Sequence, residues 1–361
     1  MQNWYPFVSI ATFSLFLFLS ILYFSFNPIP KNIFVFYLII FFELIISLYL
    51  SNGIDQLSYF DFYRSDGNYL ISLLFILIGM ILPRLRVSEL LLIRFIILGI
   101  ILTSTFALLF YLPHLGNEFI GMYRSHNAAA GLYAIGIILI ISNEKFIPNI
   151  YLRYVVLLYI LTIFFIAESR ASLLGLIAAI IYIAYSIKFF RFNPRFLLFL
   201  GLFLFVIFPV FLQSNLYDRF LYSLSGDDYN TNTRLLIWYN ALSYIASNPF
   251  FGVGAGLFND SGFYVSGSLV TTTEYFFDGG HAHNILLHIL SEHGFIGFII
   301  LTFSFALVFP KHIRSQAYYF NAIFLLLFIS SMFGLNLIVP STSFIFYLLI
   351  GYHWGKFKHA T

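Results

Sequence analysis

Four short clusters stand out among the residues of this chain able to do chemistry. The first is Gly279-Gly280-His281-Ala282-His283-Asn284, followed at a fixed distance by Gly294-Phe295-Ile296-Gly297. His283 stands where a polar loop runs into an apolar helix. An imidazole there titrates near neutrality and can accept or donate a proton; it could also merely cap the helix and meet water. The glycine pair would let another helix or a lipid chain approach closely. The second cluster is Glu168-Ser169-Arg170-Ala171-Ser172, a turn so tight between two apolar runs that Arg170 must sit at or just within the membrane. A cation there is costly, and its planar fork suits a phosphate. Pairing with Glu168, or reaching out to the headgroups, is the alternative use. The third, Thr231-Asn232-Thr233-Arg234, opens a helix whose N-terminus favours anions; a solvated loop arginine fits as well. The fourth, Met122-Tyr123-Arg124-Ser125-His126-Asn127, makes Arg124 either a ligand group or an interface anchor. Histidines 281, 283, 288 and 293 also raise a metal site. The five-residue spacing of His283, His288 and His293 turns them roughly 140° apart on a helix and disperses them. His293, on another face from His283, is accordingly expected to tolerate alanine.

The elements that must position these groups are hydrophobic helices. Apolar residues make up 61% of the 361 and charged residues 9%, against roughly 25% charged in soluble domains, and the mean hydropathy is +0.92. This excludes a water-soluble fold. The apolar runs do not alternate with polar residues, which excludes a barrel. Without cysteine there is no disulfide framework and no thiolate chemistry. The small net charge of +3, with no basic patch among aromatics, excludes a nucleic-acid partner. The expected fold is an all-α polytopic membrane protein with about eleven spans, at 5–26, 33–50, 69–83, 89–112, 126–142, 150–167, 170–188, 195–213, 284–308, 317–333 and 338–355. The first span lacks a basic start and a small-residue cleavage site, so it reads as a retained helix. Residues 1–361 form a single transmembrane domain. Its long loop, 214–283, carries an amphipathic helix over 231–247, stopped by Asn248-Pro249. Gly252, Gly254 and Gly256 lack the strand–turn–helix frame of a nucleotide site and read as a tight loop against the membrane.

Orientation follows from the basic residues. One set of connections carries Lys31, Arg84, Arg86, Lys145, Arg153, Lys188, Arg191, Arg195, Lys311, Arg314, Lys356 and Lys358; the other carries only Arg64, Arg124, Arg170, Arg219 and Arg234, with Arg94 inside a span. The twelve-residue side is cytoplasmic. All four clusters then lie outside, on the periplasmic face of a bacterial inner membrane.

In that arrangement the chain resembles a known family. His283-Asn284 followed by Gly294-x-x-Gly297 is similar to the signature of lipopolysaccharide O-antigen ligases and of many O-antigen or capsule polymerases. Arg234-Leu-Leu-Ile-Trp-Tyr-Asn-Ala-Leu and Asn248-Pro-Phe-Phe-Gly-Val-Gly-Ala-Gly-Leu-Phe resemble that family's long periplasmic loop, and Glu168-Ser-Arg-Ala-Ser its short arginine motif. The resemblance spans roughly 115–300. It implies a GT-C-like, metal-independent glycosyltransferase, without cofactor, using an undecaprenyl-diphosphate-linked glycan as donor. His283 would be the catalytic residue. Arg170 and Arg234 would bind the diphosphate, with Arg124, His281 and Asn284 as further substrate-binding residues. The acceptor would be another lipid-linked repeat unit for a polymerase, or lipid A–core for a ligase. The short chain favours the polymerase, for which a chain-length regulator is a candidate partner beside the inner-membrane lipids. A polysaccharide transporter is the rival of another class: Glu43 and Glu292 are the plausible acids within spans.

Overall fold

Every regular element that the computed structural model describes, over residues 29–50, 66–111, 126–186, 229–258, 281–309 and 318–360, is an α-helix. In order these are α1 (Lys31–Leu50), α2 (Asp66–Ile81), α3 (Glu89–Tyr111), α4 (His126–Ser142), α5 (Ile150–Ile166), α6 (Arg170–Ser186), α7 (Tyr229–Ser247), α8 (Ile285–Val308), α9 (Tyr318–Ser331) and α10 (Pro340–Ala360). The helices expected from hydropathy stand within a few residues of their places. The expected spans 5–26 and 195–213, and Arg124, lie outside the described residues.

The bundle is built around α4. Its sequence is apolar on every side, and Ala128, Ala129, Ala130, Gly131, Ala134 and Gly136 keep its surface low. It is buried all round from Ala128 to Ile140, as a helix without a polar face must be. Helices α3, α5, α6, α9 and α10 pack on it. Elsewhere α2 packs on α10 and α1 on α8. The outward faces are apolar too. Along α3, Leu91, Phe95, Leu98, Leu102, Phe106 and Leu109 are exposed while Leu92, Ile93, Ile97, Ile100 and Ala107 are buried. By length and composition, two described helices, Glu89–Leu109 and Ile285–Val308, can each cross a membrane.

Polar contacts collect at the two ends of the bundle. At one end Arg94 donates to the carbonyls of Phe146 and Lys145 at 3.1 and 3.2 Å. There Lys356 Nζ reaches Glu89 at 3.1 Å, the Tyr319 hydroxyl donates to the same carboxylate at 2.6 Å, and Tyr352 donates to Val87 O beside Arg86. The arginine within a span thus joins the basic end. At the opposite end the Ser169 hydroxyl, which caps α6 by accepting the Ser172 N–H, donates to Asn127 Oδ1 at 2.6 Å. Ser343 at the head of α10 bonds Ser72 near the head of α2, and Trp238 of α7 rests on Phe333 just past α9. Arg170, Arg234 and His283 all stand at this second end.

Candidate functional site

Helix α8 is two half-helices. Gly294 interrupts it at φ 63°, ψ −171°, which the hydropathy of 284–308 gives no hint of. A break inside an apolar bundle strands backbone groups that water cannot satisfy, and here the loop after α7 takes them. Val253 and Gly254 donate N–H bonds to the carbonyls of Ser291 and Glu292 at 2.8 and 2.9 Å, and Phe295 and Ile296 donate to those of Pro249 and Phe250 at 2.8 and 3.1 Å. The G-x-G-x-G run is therefore a backbone splint across the break. Gly252 and Gly294 both have positive φ, and a Cβ on either would overlap the opposite backbone. Gly294→Ala should accordingly lower the Tm of the purified protein sharply. This φ and ψ alone disfavour alanine by about 1–3 kcal/mol, before the overlap with Phe250 is counted. Gly99→Ala, with nothing within 4 Å of its Cβ, should leave Tm unchanged or raise it.

The splint seats α7 on the first half of α8. Ile237 and Ala241 pack on Phe258 and Ala282, flanked by Tyr244 and Leu287. Arg234 is the sixth residue of α7, which begins at Tyr229 rather than 231. It stands beyond the first turn, so its own guanidinium, not the helix's free N–H groups, is the anion-attracting feature.

His283 precedes α8 with φ 49°, a left-handed conformation rare for a residue with a side chain. The cap itself is Asn284, whose side chain accepts the N–H groups of Leu286 and Leu287 at 3.0 and 3.2 Å. The capping role first open to the histidine thus belongs to its neighbour, a role the position of Asn284 before an apolar run signalled. The rings of His281 and His283 lie with centroids 4.2 Å apart. Burial, then the neighbouring His281 and Arg234, pull the His283 pKa from the ordinary imidazole range down to about 3. At neutral pH it is an unprotonated base beside a cation.

The structure thus brings His281, His283, Asn284 and Arg234 together. Arg170 opens α6 at the same end but on a separate element, joined through Ser169 to the head of α4. The remaining histidines are dispersed. His288 Nε2 lies 3.6 Å from Glu292 Oε2, and His293 Nδ1 meets Glu43 Oε1 at 2.8 Å. His293 is buried in a cross-helix pair, which corrects the expectation that it tolerates alanine.

The family model for O-antigen ligase matches residues 155–302, from α5 into the second half of α8. The match takes in Arg170, Arg234, His281, His283, Asn284, the splint and the Gly294 break. Over this stretch the chain is similar to the O-antigen ligase and polymerase superfamily. No curated protein sequence matches it. O-antigen ligase proteins are integral membrane proteins, and the apolar outward faces of α3 and α8 are compatible with that setting. The family also carries glycosyltransferase-like ligase or polymerase activity on lipid-linked glycans, the chemistry against which the site's geometry is to be weighed.

Proposed function

We propose that this chain is the polymerase of an O-antigen or similar surface polysaccharide. It transfers the growing glycan from undecaprenyl diphosphate onto a sugar hydroxyl of the next lipid-linked repeat unit. The observation that carries this reading is a neutral, partly buried His283 held beside Arg234 within the matched O-antigen ligase region. A glycosyl diphosphate is already activated, so the protein has two tasks: to hold the diphosphate and to take a proton. The acceptor oxygen attacks the anomeric carbon as its bond to the diphosphate oxygen breaks. The diphosphate departs with the electron pair, the anomeric centre inverts, and the acceptor proton passes to His283. Arg234 and Arg170 offset the charge on the leaving diphosphate, with Arg124 beside them. Asn284 fixes the turn that presents His283, and His281 packs against its ring.

The same reading places the chain in a bacterial inner membrane with about eleven crossings as one transmembrane domain, the 214–283 loop and the site facing the periplasm. Support comes from the separation of Arg170, Arg234 and His283 from the end where Arg84, Arg86, Arg94, Lys145 and Lys356 gather, since basic residues accumulate on the cytoplasmic side. A second reading is the ligase, which places the glycan on lipid A–core; the matched family's own description, O-antigen ligase, favours it. Deleting the gene separates the two. Loss of a polymerase leaves lipid A–core carrying a single repeat unit, the expected result. Bare core with accumulated lipid-linked polymer would identify the ligase, and an unchanged surface glycan would reject both.

A further inference from the structure

The three residues just before the break in α8 are held from two sides. The loop holds Ser291 and Glu292 through their carbonyls, and the Phe258 N–H donates to the Glu292 carboxylate at 3.3 Å. From the other side comes α1. Glu43, two turns short of its end, sets Oε1 2.8 Å from His293 Nδ1, and the Ser47 hydroxyl donates to Glu292 O at 3.4 Å. Glu43 and His293 are 4% and 5% exposed. Gly297, one turn past His293, opens the space the carboxylate occupies: a Cβ there would stand 2.6 Å from Glu43 Oε1. Neither Glu43 nor His293 belongs to the motifs that carry the family resemblance, and Glu43 lies outside the matched residues 155–302. Two ionisable groups inside an apolar bundle are costly to keep. An apolar pair would join α1 to α8 equally well if adhesion were all that was needed.

The half-helix Ile285–His293 has His283 at its head and His293 at its foot. With the helix broken at Gly294, continuity of the second half cannot fix the direction of the first; only lateral contacts can. The loop contacts tie it to α7 and thus to Arg234, and the Glu43 contact ties it to the bundle. We propose that the Glu43–His293 pair is the positioning element that sets the orientation of this half-helix, and with it the presentation of His283 to Arg234 and the substrate. This rests on reading His283 as the base. The pair touches no substrate; it acts on transfer through the half-helix alone.

The absence of native cysteine gives a geometric readout independent of any reaction. Phe258 on the loop and His288 on the half-helix face each other with ring centroids 6.0 Å apart, so Phe258→Cys with His288→Cys should be bridged by a short bifunctional thiol reagent in membranes holding the full chain. Adding Glu43→Leu or His293→Leu should slow that cross-link by about tenfold or more. In the cysteine-free chain, each should reduce surface polysaccharide made by a deletion strain by about 10–10²-fold, as a displacement of about 1 Å at reacting groups does. The exchanged pair, Glu43→His with His293→Glu, should restore both. Cross-linking at the wild-type rate in both single leucine variants would overturn the proposal, as would a Leu–Leu double variant performing as well as the exchange. If the leucine variants fail to reach the membrane, Glu43→Gln, which keeps an acceptor for the His293 N–H, and the exchanged pair carry the test. Wild-type cross-linking in both supports the proposal, and its loss in either overturns it. Normal cross-linking responses with polysaccharide unaffected throughout would instead reject the enzymatic reading while leaving the structural pair intact.

Discussion

Replacing His283 with alanine should lower transfer by about 10²–10⁴-fold, the range for removing a positioned proton acceptor, while donor binding stays nearly intact. Single-turnover transfer and donor binding with purified protein and lipid-linked donor separate the two effects. The fold should survive, because Asn284 caps α8 without help from the histidine; alanine keeps the strained φ of 49° and removes only the ring. The pH dependence carries the same claim. Burial, then the neighbouring His281 and Arg234, hold the free-protein pKa of His283 down to about 3, so the ring stays in its base form as pH falls through the ordinary imidazole range of about 6.5. The acidic limb of kcat/KM, which reports the free enzyme, should therefore lie well below that range. A bound diphosphate adds negative charge beside the ring and favours its protonated form, so the acidic limb of kcat should stand at higher pH. Near wild-type transfer by a well-folded His283→Ala protein would mean that the base lies elsewhere.

The arginines should fail differently. Arg234 and Arg170 are assigned to a diphosphate that is charged before the reaction and gains charge as the anomeric bond breaks. Losing one such contact costs about 2–4 kcal/mol, or roughly 30- to 1000-fold in rate. Unlike His283→Ala, their replacement should weaken donor binding as well as slow transfer. Lysine should rescue poorly at either position, because it keeps the charge but not the planar fork that grips two oxygens at once. For Arg234 a second effect has a definite sign. Arg234→Gln removes a cation from beside His283, so the His283 pKa should rise and the acidic limb of kcat/KM should move to higher pH. Removing Arg170, which does not depress the His283 pKa, should leave that limb in place. A limb equally unmoved by Arg234→Gln would detach this arginine from the histidine, whatever its effect on rate.

What the sequence determined by itself follows from short-range and one-dimensional properties. The starts of α3, α4, α5 and α6 at residues 89, 126, 150 and 170 were legible because an apolar run bounded by polar residues has few ways to exist other than as a helix. The common end for Arg170, Arg234 and His283 was legible because Lys and Arg are unevenly divided among the connections. The candidate residues stood out in the sequence because a polar side chain at the edge of an apolar run is costly without a use. The tertiary structure alone decided what those residues meet. Gly294-x-x-Gly297 announced a close approach but not by what; it proved to be the backbone of Phe250 on one side and the Glu43 carboxylate on the other, partners far away along the chain. The break in α8 was hidden for the same reason: mean hydropathy over 284–308 does not change when one residue turns to φ 63°, and the groups that make the break tolerable belong to another segment. His293 looked replaceable because its helical angle placed it away from His283, and an angle on one helix cannot say that a second helix has brought a carboxylate to meet it.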